Sequence, residues 1–308
     1  MKNNLIKYIY LLSLIIIFLS CNSNTIQNEN IDFINKDSFS VNVPSNNKDS
    51  NINIHWATTD ISIGKNRIAF ALTEESEGFL KDYEVIVSSF YLSNNKNSLI
   101  HEIVRASYYD WPHSRGIYVA NMDFDKSGSW GIAISVSNTQ ITGELTTALT
   151  VNDESKTPSL NSKALMSINK VNISEDNLSN ITSDLNPDPE LYSLTISEAI
   201  KSEKPLLVVF ASPGYCITKT CGPQVDILKE LKDKYKNEMN FIHIDVYDNL
   251  DQIKGNLEQA RISQVVLDWG LPSEPWSFLI NSKGIIVGKF EGFISEEELS
   301  QNIQLVIR

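Results

Sequence analysis

The pattern of hydrophobic and polar positions divides the chain into two parts with different periods. From about residue 49 to residue 152, short runs alternate between apolar and polar side chains and are interrupted by turn-forming residues. A period of two predicts half-buried β-strands. The six clearest predicted strands contain residues 52–54, 67–72, 83–92, 116–120, 131–136 and 145–151. Strands at this spacing predict an all-β sandwich.

The second part of the chain alternates strands with helices. Residues 206–211 form a continuous apolar run typical of buried parallel strands, and residues 223–235 repeat apolar side chains at helical spacing. Residues 241–246 predict a second buried strand. Further on, the turn-forming residues 281–284 separate two apolar runs and predict a hairpin, and Ser295 followed by three glutamates predicts the start of the last helix. The predicted order is strand, helix, strand, hairpin and helix.

The segment between these two parts shows no sustained periodicity. Residues 153–188 are rich in Ser, Asn, Asp and Lys and include prolines, so we predict a linker. Just beyond it, Thr195 and Glu198 have the spacing of a capping box, in which each side chain binds the backbone amide of the other residue. A short helix is therefore expected at 196–202.

The N-terminus has the composition of an export signal. Lys2 and Lys7 precede an apolar run at residues 8–19 that is too short to cross a bilayer as a permanent helix. The run leads into Phe-Leu-Ser-Cys21, which resembles the lipobox of bacterial lipoproteins. The resemblance implies a signal peptide at 1–20, lipidation of Cys21, and a location in the bacterial cell envelope, anchored to a membrane. A plain secretory signal with an incidental cysteine is the alternative.

Composition completes the predicted domain organisation and argues against one class of partner. The polar residues 21–48 lack the apolar content needed for order and predict a flexible tether. The predicted domains are a β-sandwich at 49–152 and an α/β domain at 189–308, joined by the linker at 153–188. The formal net charge of −12 argues against nucleic acid as a partner.

Two of the three cysteines can form an intramolecular pair. Cys216 and Cys221 follow the strand at 206–211 with four residues between them. In one regular helix this spacing would separate the Cα atoms by about 7.5 Å along the axis, which is too far for a disulfide. Gly222 and Pro223 favour a helix that starts near Cys221, because proline is well accommodated in a first turn. We therefore expect Cys221 at a helix start and Cys216 on the preceding loop.

Residues from about 190 to 308 resemble thioredoxin-like proteins. The resemblance rests on the order strand, loop, cysteine, helix, on the triplet Cys-Gly-Pro223, and on Pro275 directly before the predicted strand at 276–280. It implies the thioredoxin fold, a cis peptide bond before Pro275, and packing of this proline against the cysteine pair. It also implies thiol–disulfide chemistry with no bound cofactor.

Two features of the thioredoxin-like family are missing from this chain. No acidic residue occurs at 206–211, where thioredoxins often keep a buried carboxylate that moves protons for the second cysteine. Gln224 stands three residues after Cys221, where the family normally has the resolving cysteine. Slow turnover or specialisation for one partner is therefore expected.

The roles of the two sulfurs stay open at this stage. A thiol at a helix N-terminus is favoured as thiolate by the helix dipole and by unpaired amides, which indicates Cys221 as the attacking sulfur and Cys216 as the resolving one. The family usually has the opposite order. Lys219 lies between the two cysteines and could stabilise either thiolate.

Three rival interpretations share the same cysteine pair. One peroxiredoxin branch has the same cysteine spacing, but Pro213 stands where that family needs a Thr or Ser to orient peroxide. Some exported thioredoxin-fold proteins hold copper with two cysteines and a distant histidine, and His243 is the only histidine after the pair. A static disulfide that fastens a short loop would contribute under about 3 kcal/mol from entropy.

The sequence as a whole predicts a membrane-anchored, extracytoplasmic thiol–disulfide oxidoreductase that acts through Cys216 and Cys221. Its expected partners are thiols or disulfides of exported proteins and, through the lipid anchor, a membrane. We expect neither a cofactor nor a metal. The segment 116–131 resembles the closing hairpin of small immunoglobulin-like domains, which implies an immunoglobulin-like sandwich. The competing hypothesis is a non-catalytic binding protein with a structural disulfide.

Overall fold

The computed structural model describes residues 52–308 with the exception of 76, 93–98, 113–114, 139–141, 173–174 and 254. The predicted signal peptide, Cys21 and the predicted tether lie outside the described residues. Among the described residues, no helix combines the length and the apolar character that crossing a membrane requires.

The first part of the described chain forms two antiparallel sheets that share one core. One sheet has the strand order β1-β2-β7-β6 with β3 beside β2, and the other has the order β5-β4-β8-β9. The strands are β1 (Ile52–Trp56), β2 (Gly64–Glu74), β3 (Gly78–Phe79), β4 (Glu84–Tyr91), β5 (Ile100–Arg105), β6 (Ser107–Trp111), β7 (Arg115–Phe124), β8 (Gly128–Ser137) and β9 (Thr142–Val151). Phe70 and Leu72 of the first sheet are buried in the same core as Trp130 and Ile132 of the second. We call residues 52–152 the two-sheet region.

The structure corrects two predictions for this region. The segment 116–131 is not a hairpin, because β7 pairs with β2 and β6 whereas β8 pairs with β4 and β9. The turn between β7 and β8 therefore passes from one sheet to the other. Strands β3, β5 and β6 had no counterpart in the predicted set. Strand β3 has only two residues, and β5 and β6 lie at sheet edges and are largely exposed, so their sequences lack a clear buried face.

The second part of the described chain is built on a four-stranded sheet with the order β11-β10-β12-β13. Strands β10 and β11 are parallel, and the other two pairs are antiparallel. The elements are α1 (Ile196–Lys201), β10 (Leu206–Phe210), α2 (Cys221–Tyr235), β11 (Asn240–Ile244), α3 (Leu250–Ile253), α4 (Gln264–Asp268), β12 (Trp276–Ile280), β13 (Ile286–Glu291) and α5 (Glu296–Val306). The predicted order of strands and helices is confirmed, and the region has a thioredoxin-like fold.

Helices cover both faces of this sheet because its strands are apolar on both sides. Buried residues of α2 and α5, such as Leu228 and Ile303, share a core with Leu207 of β10. Buried residues of α1, α3 and α4 share a second core with Val208, which points to the opposite face. The predicted capping box between Thr195 and Glu198 is present at the start of α1.

The segment 153–188, predicted as a linker, packs against the thioredoxin-like region. The backbone amide of Asn161 donates to the carbonyl of Ile286, and that of Ala164 donates to the carbonyl of Gly284. Further along, a 3₁₀ helix spans Glu175–Asn180. The segment thus belongs to the same compact unit as the regions on either side of it. The domain boundaries themselves stay a prediction.

Buried charges hold the two-sheet region against the thioredoxin-like region. The Arg67 guanidinium donates to both carboxylate oxygens of Glu298, at 2.7 and 2.8 Å, and the two side chains are only 7% and 9% exposed. The Glu291 carboxylate accepts hydrogen bonds from the backbone amides of Thr59 and Asp60, at 2.7 and 3.1 Å. These bonds join β13 and α5 of the thioredoxin-like region to β2 and to the turn between β1 and β2 in the two-sheet region. The two regions are therefore joined by directional contacts.

Candidate redox site

The loop between β10 and α2 brings the two cysteines together. The carbonyl of Ser212 accepts the backbone amide of Cys216 at 2.9 Å, and the carbonyl of Cys216 accepts that of Lys219 at 3.3 Å. Lys219 closes the second turn with a φ of 59°, in the left-handed region. The chain therefore folds back so that the Cα atoms of Cys216 and Cys221 are 6.0 Å apart, and the two residues form a disulfide.

Cys221 is the first residue of α2, as the sequence predicts, and Gly222 and Pro223 complete the first turn. The side chain of the preceding Thr220 makes no capping hydrogen bond. The first amides of the helix are therefore available to stabilise negative charge at this end. A Cβ atom added to Gly222 would meet nothing within 4 Å, so steric constraint does not explain the glycine.

The exposure of the two cysteines is opposite to what the predicted roles require. Cys221, favoured above as the attacking sulfur, is fully buried, whereas Cys216 is partly exposed. An attacking sulfur has to be reached by a sulfur of another protein. The Thr218 hydroxyl lies 3.2 Å from the Sγ atom of Cys216. The Lys219 side chain is exposed and forms no ion pair within the described residues, so its support of a thiolate stays a prediction.

Glu274, the residue before Pro275, lies next to the cysteine pair, and the packing of Pro275 itself against the pair stays a prediction. The Glu274–Pro275 peptide bond is cis, as predicted, and Pro275 is buried directly before β12. A carboxylate oxygen of Glu274 and the sulfurs of Cys216 and Cys221 all lie within 4.8 Å of one another. The start of β12 and the start of α2 are thus adjacent in space, although 52 residues lie between Cys221 and Glu274 in the sequence.

Sequence reasoning missed Glu274 as a candidate functional residue. The residue as a whole is partly exposed, but its carboxyl group is enclosed by protein and accepts the backbone amide of Ser212 at 2.7 Å. Burial, with a contribution from the nearby Asp245 carboxylate, raises the pKa of Glu274 to about 8. Strand β10 contains no acidic residue, but an acid reaches the pair from the start of β12.

A chain of hydrogen bonds connects Glu274 to the segment at 181–188. The Ser212 hydroxyl donates to the Asp245 carboxylate at 2.7 Å, and the amide and hydroxyl of Ser183 donate to the same carboxylate at 2.8 and 2.6 Å. The Gly214 amide donates in turn to the Ser183 hydroxyl at 3.1 Å. Part of the predicted linker therefore positions the loop that carries Cys216.

His243 does not approach the cysteines as a ligand. Its ring nitrogens are both engaged, Nδ1 with the Tyr192 hydroxyl at 2.7 Å and Nε2 with the carbonyl of Ala211 at 3.0 Å. Because a carbonyl can only accept, Nε2 carries the proton and Nδ1 accepts from Tyr192. Burial lowers the pKa of His243, which agrees with a neutral ring. The copper hypothesis therefore gains no support from this residue.

Gln224 has a structural role where the family usually has a cysteine. The side chain is fully buried, and its Oε1 atom accepts the backbone amide of Ile294 at 2.9 Å. Ile294 lies on the turn between β13 and α5. The first turns of α2 are therefore attached to the same segment that carries Phe293, whose ring stacks on Trp111 of β6.

Comparisons with known proteins find solved structures that are weakly similar to part of this chain. No protein-family model matches the chain, and no curated protein matches it by sequence. One similar solved structure is described as a thiol:disulfide interchange protein DsbE from Chlorobium tepidum, with 18% identity, a TM-score of 0.31, and coverage of 37% of this chain and 86% of that one. Another, a thiol:disulfide interchange protein of the thioredoxin family from Chlorobium tepidum TLS, has 14% identity, a TM-score of 0.30, and coverage of 42% and 97%.

Proposed function

We propose that the chain is a thiol–disulfide oxidoreductase that acts on exported proteins through Cys216 and Cys221. The observation that carries this proposal is the placement of a partly exposed cysteine in a disulfide with a buried cysteine at the start of α2. Both sulfurs then lie at the positive end of a 15-residue helix, which favours thiolates. A purely structural disulfide has no need of this position.

Cys216 is the attacking sulfur in this proposal, because it is the one that a partner can reach. When the pair is reduced, the Cys216 thiolate attacks a substrate disulfide, and one substrate sulfur leaves as a thiolate. Cys221 then attacks Sγ of Cys216, which releases the second substrate sulfur and forms the Cys216–Cys221 disulfide. Two electrons pass to the substrate, and the reverse sequence oxidises a substrate dithiol.

The proposal also places the protein in the cell envelope, anchored by a lipid on Cys21. Its support is the export signal and lipobox-like sequence described above. We assign the two-sheet region to the immunoglobulin-like class, in which it would bind or orient a partner. The strand orders β1-β2-β7-β6 and β5-β4-β8-β9 support this class, because they correspond to the orders A-B-E-D and C′-C-F-G of immunoglobulin-type sandwiches.

The test is trapping of mixed disulfides in cells that produce single-cysteine variants. Thiols are blocked at lysis, and the adducts are separated without reductant. Cys221→Ala should accumulate mixed disulfides with envelope proteins, because Cys216 can attack but the adduct cannot be resolved. Cys216→Ala and the double variant are the matched controls and should accumulate none.

The outcomes separate the proposal from its rivals. A pair that stays oxidised in the wild type, with no adduct on either variant, would identify a static disulfide in a binding protein. Adducts on Cys216→Ala alone would assign the attack to Cys221. Rapid peroxide consumption by the reduced protein would favour a peroxidase. The anchor is tested separately, since Cys21→Ser should move the protein from the membrane fraction to the soluble fraction.

A further inference from the structure

The gap between the two cysteines contains two threonines whose hydroxyl groups touch each other. The Oγ1 atoms of Thr218 and Thr220 lie 2.8 Å apart, and the Oγ1 atom of Thr218 lies 3.2 Å from the Sγ atom of Cys216. Thr220 is buried, whereas Thr218 is exposed. The two hydroxyls and the sulfur therefore form a continuous hydrogen-bonded row that leads from the protein interior to the partly exposed cysteine.

The disulfide fixes the direction of these hydrogen bonds. A sulfur in a disulfide carries no proton, so Sγ of Cys216 can only accept, and the Thr218 hydroxyl has to donate to it. A threonine hydroxyl has one proton, so the hydroxyl of Thr220 has to donate to the oxygen of Thr218. Both hydrogen bonds are therefore directed toward Cys216.

The position of Thr220 at the start of α2 makes this use of its hydroxyl unusual. A threonine directly before a helix commonly accepts a backbone amide of the first turn with its side chain. The side chain of Thr220 makes no such bond, and its φ of −101° and ψ of −20° differ from the extended backbone of a typical side-chain cap. The hydroxyl of Thr220 is engaged with Thr218 instead.

We propose that Thr218 donates a hydrogen bond to the Cys216 thiolate of the reduced protein, and that Thr220 holds the Thr218 hydroxyl in place for this bond. The inference rests on the proposed function, in which Cys216 is the attacking sulfur. Thr218 touches the reacting atom and is a catalytic residue, whereas Thr220 is a positioning residue. A hydrogen bond to an ionised acceptor is stronger than one to a neutral acceptor, so this bond favours the thiolate over the thiol.

The hydroxyl row also distinguishes the two sulfurs and gives the unusual cysteine spacing a role. Cys216 accepts from Thr218, and within the described part of the chain no hydroxyl makes the same bond to Cys221. Negative charge is therefore stabilised on the sulfur that a partner can reach. Both threonines lie in the four-residue gap between the cysteines. A gap of two residues has no room for both threonines and for the left-handed turn at Lys219 between them.

The test measures the pKa of Cys216 in the absence of any substrate. The full-length chain carries Cys21→Ser and Cys221→Ala, so that Cys216 is the only thiol. The rate of alkylation by iodoacetamide is followed across the pH range in which cysteine thiols ionise. The midpoint gives the pKa of Cys216, because the thiolate and not the thiol is the nucleophile.

Four substitutions in this protein separate the hydroxyl groups from the shape of the side chains. Thr218→Val keeps the shape but removes the donor, and it should raise the pKa of Cys216 by about one unit. Thr218→Ser keeps the hydroxyl and should leave the pKa close to that of the reference protein. Thr220→Val should raise the pKa by a smaller amount, because Thr218 keeps its proton but loses its support. The matched control Thr146→Val removes an exposed hydroxyl on β9 and should change nothing.

The equilibrium with glutathione provides a second readout in a protein that keeps both cysteines of the pair. Stabilisation of the Cys216 thiolate favours the dithiol over the disulfide. Thr218→Val in the Cys21→Ser protein should therefore shift the equilibrium up to about tenfold toward the disulfide, which lowers the reduction potential by about 30 mV. Thr218→Ser should restore the original equilibrium.

Each contrary outcome has a distinct meaning. An unchanged pKa of Cys216 in Thr218→Val overturns the inference. An equal rise in Thr218→Val and Thr218→Ser also overturns it, because the hydroxyl would then not be the cause. If Thr218→Val raises the pKa and Thr220→Val does not, the positioning role of Thr220 is wrong. Failure of the proposed function is recognised separately, since the absence of mixed disulfides in cells leaves this pKa measurement unaffected.

Discussion

Glu274 should make the disulfide-bonded protein less stable as the pH rises through the neutral range. Burial, followed by the Asp245 carboxylate, raises the pKa of Glu274 from 4.5 to about 8 in the folded state. The folded state therefore binds more protons than the unfolded state between these two values. The stability that the neutral carboxyl group confers is fully present below about pH 4.5, and it is lost as the pH rises through about 8.

The size of the effect follows from the same two pKa values. One pKa unit corresponds to about 1.4 kcal/mol. Between about pH 5 and about pH 9, the raised pKa of Glu274 should therefore lower the free energy of unfolding by about 4 kcal/mol. Glu274→Gln cannot ionise and should lack this loss. The variant should therefore gain stability relative to the wild type as the pH rises.

The assay is urea unfolding of the oxidised protein across this pH range, followed by circular dichroism. Glu258→Gln serves as the control, because Glu258 is exposed and its removal should leave the wild-type pH dependence unchanged. Parallel stability curves for the wild type and Glu274→Gln would refute the reasoning. They would mean that the Glu274 carboxyl group is hydrated in the folded protein.

Three further predictions concern the framework around the site. Gly222→Ala should raise the free energy of unfolding by up to about 1 kcal/mol, because the site has room for a Cβ atom and alanine favours helix. The variant should leave thiol exchange unchanged. Thermal unfolding measures the change in stability, and a DTNB assay measures thiol exchange. Arg67→Ala should cost about 3–5 kcal/mol by leaving the buried Glu298 unpaired, and the double variant Arg67→Ala/Glu298→Ala should recover part of that loss in urea unfolding. Thr195→Ala should cost about 1 kcal/mol by removing the cap of α1, as measured by the same method. A loss for Arg67→Ala that matches the small loss for Thr195→Ala would contradict the view that the interface charges are buried.

The sequence predicted the site's local features because each depends on neighbouring residues. The apolar run at 206–211 and the Cys-Gly-Pro223 triplet predict a strand, a loop and a helix start within 20 residues. The cis bond before Pro275 followed from the thioredoxin-like resemblance, which depends on the order of elements. These features were confirmed in the structure.

Features that depend on distant parts of the chain were missed. Glu274 reaches the cysteines because β12 is the antiparallel neighbour of β10, and no local pattern marks an acid before a proline as buried. The order of reactivity depends on which sulfur the fold exposes, which the helix dipole alone does not decide. The partition of β7 and β8 between two sheets was hidden by a turn sequence that also suits a hairpin. Ser183 lies in a polar segment, yet Asp245 and Gly214 fix its position.

The reduction potential of the Cys216–Cys221 pair tests the central claim most directly. The Cys21→Ser protein is equilibrated with glutathione buffers of graded ratio, and the free thiols are counted by a mass-shifting maleimide. An exchanging pair should have a potential above about −270 mV, in the range of thioredoxin and more oxidising catalysts. A pair that stays oxidised in all buffers, with a potential below about −300 mV, would be a structural disulfide and would contradict the account.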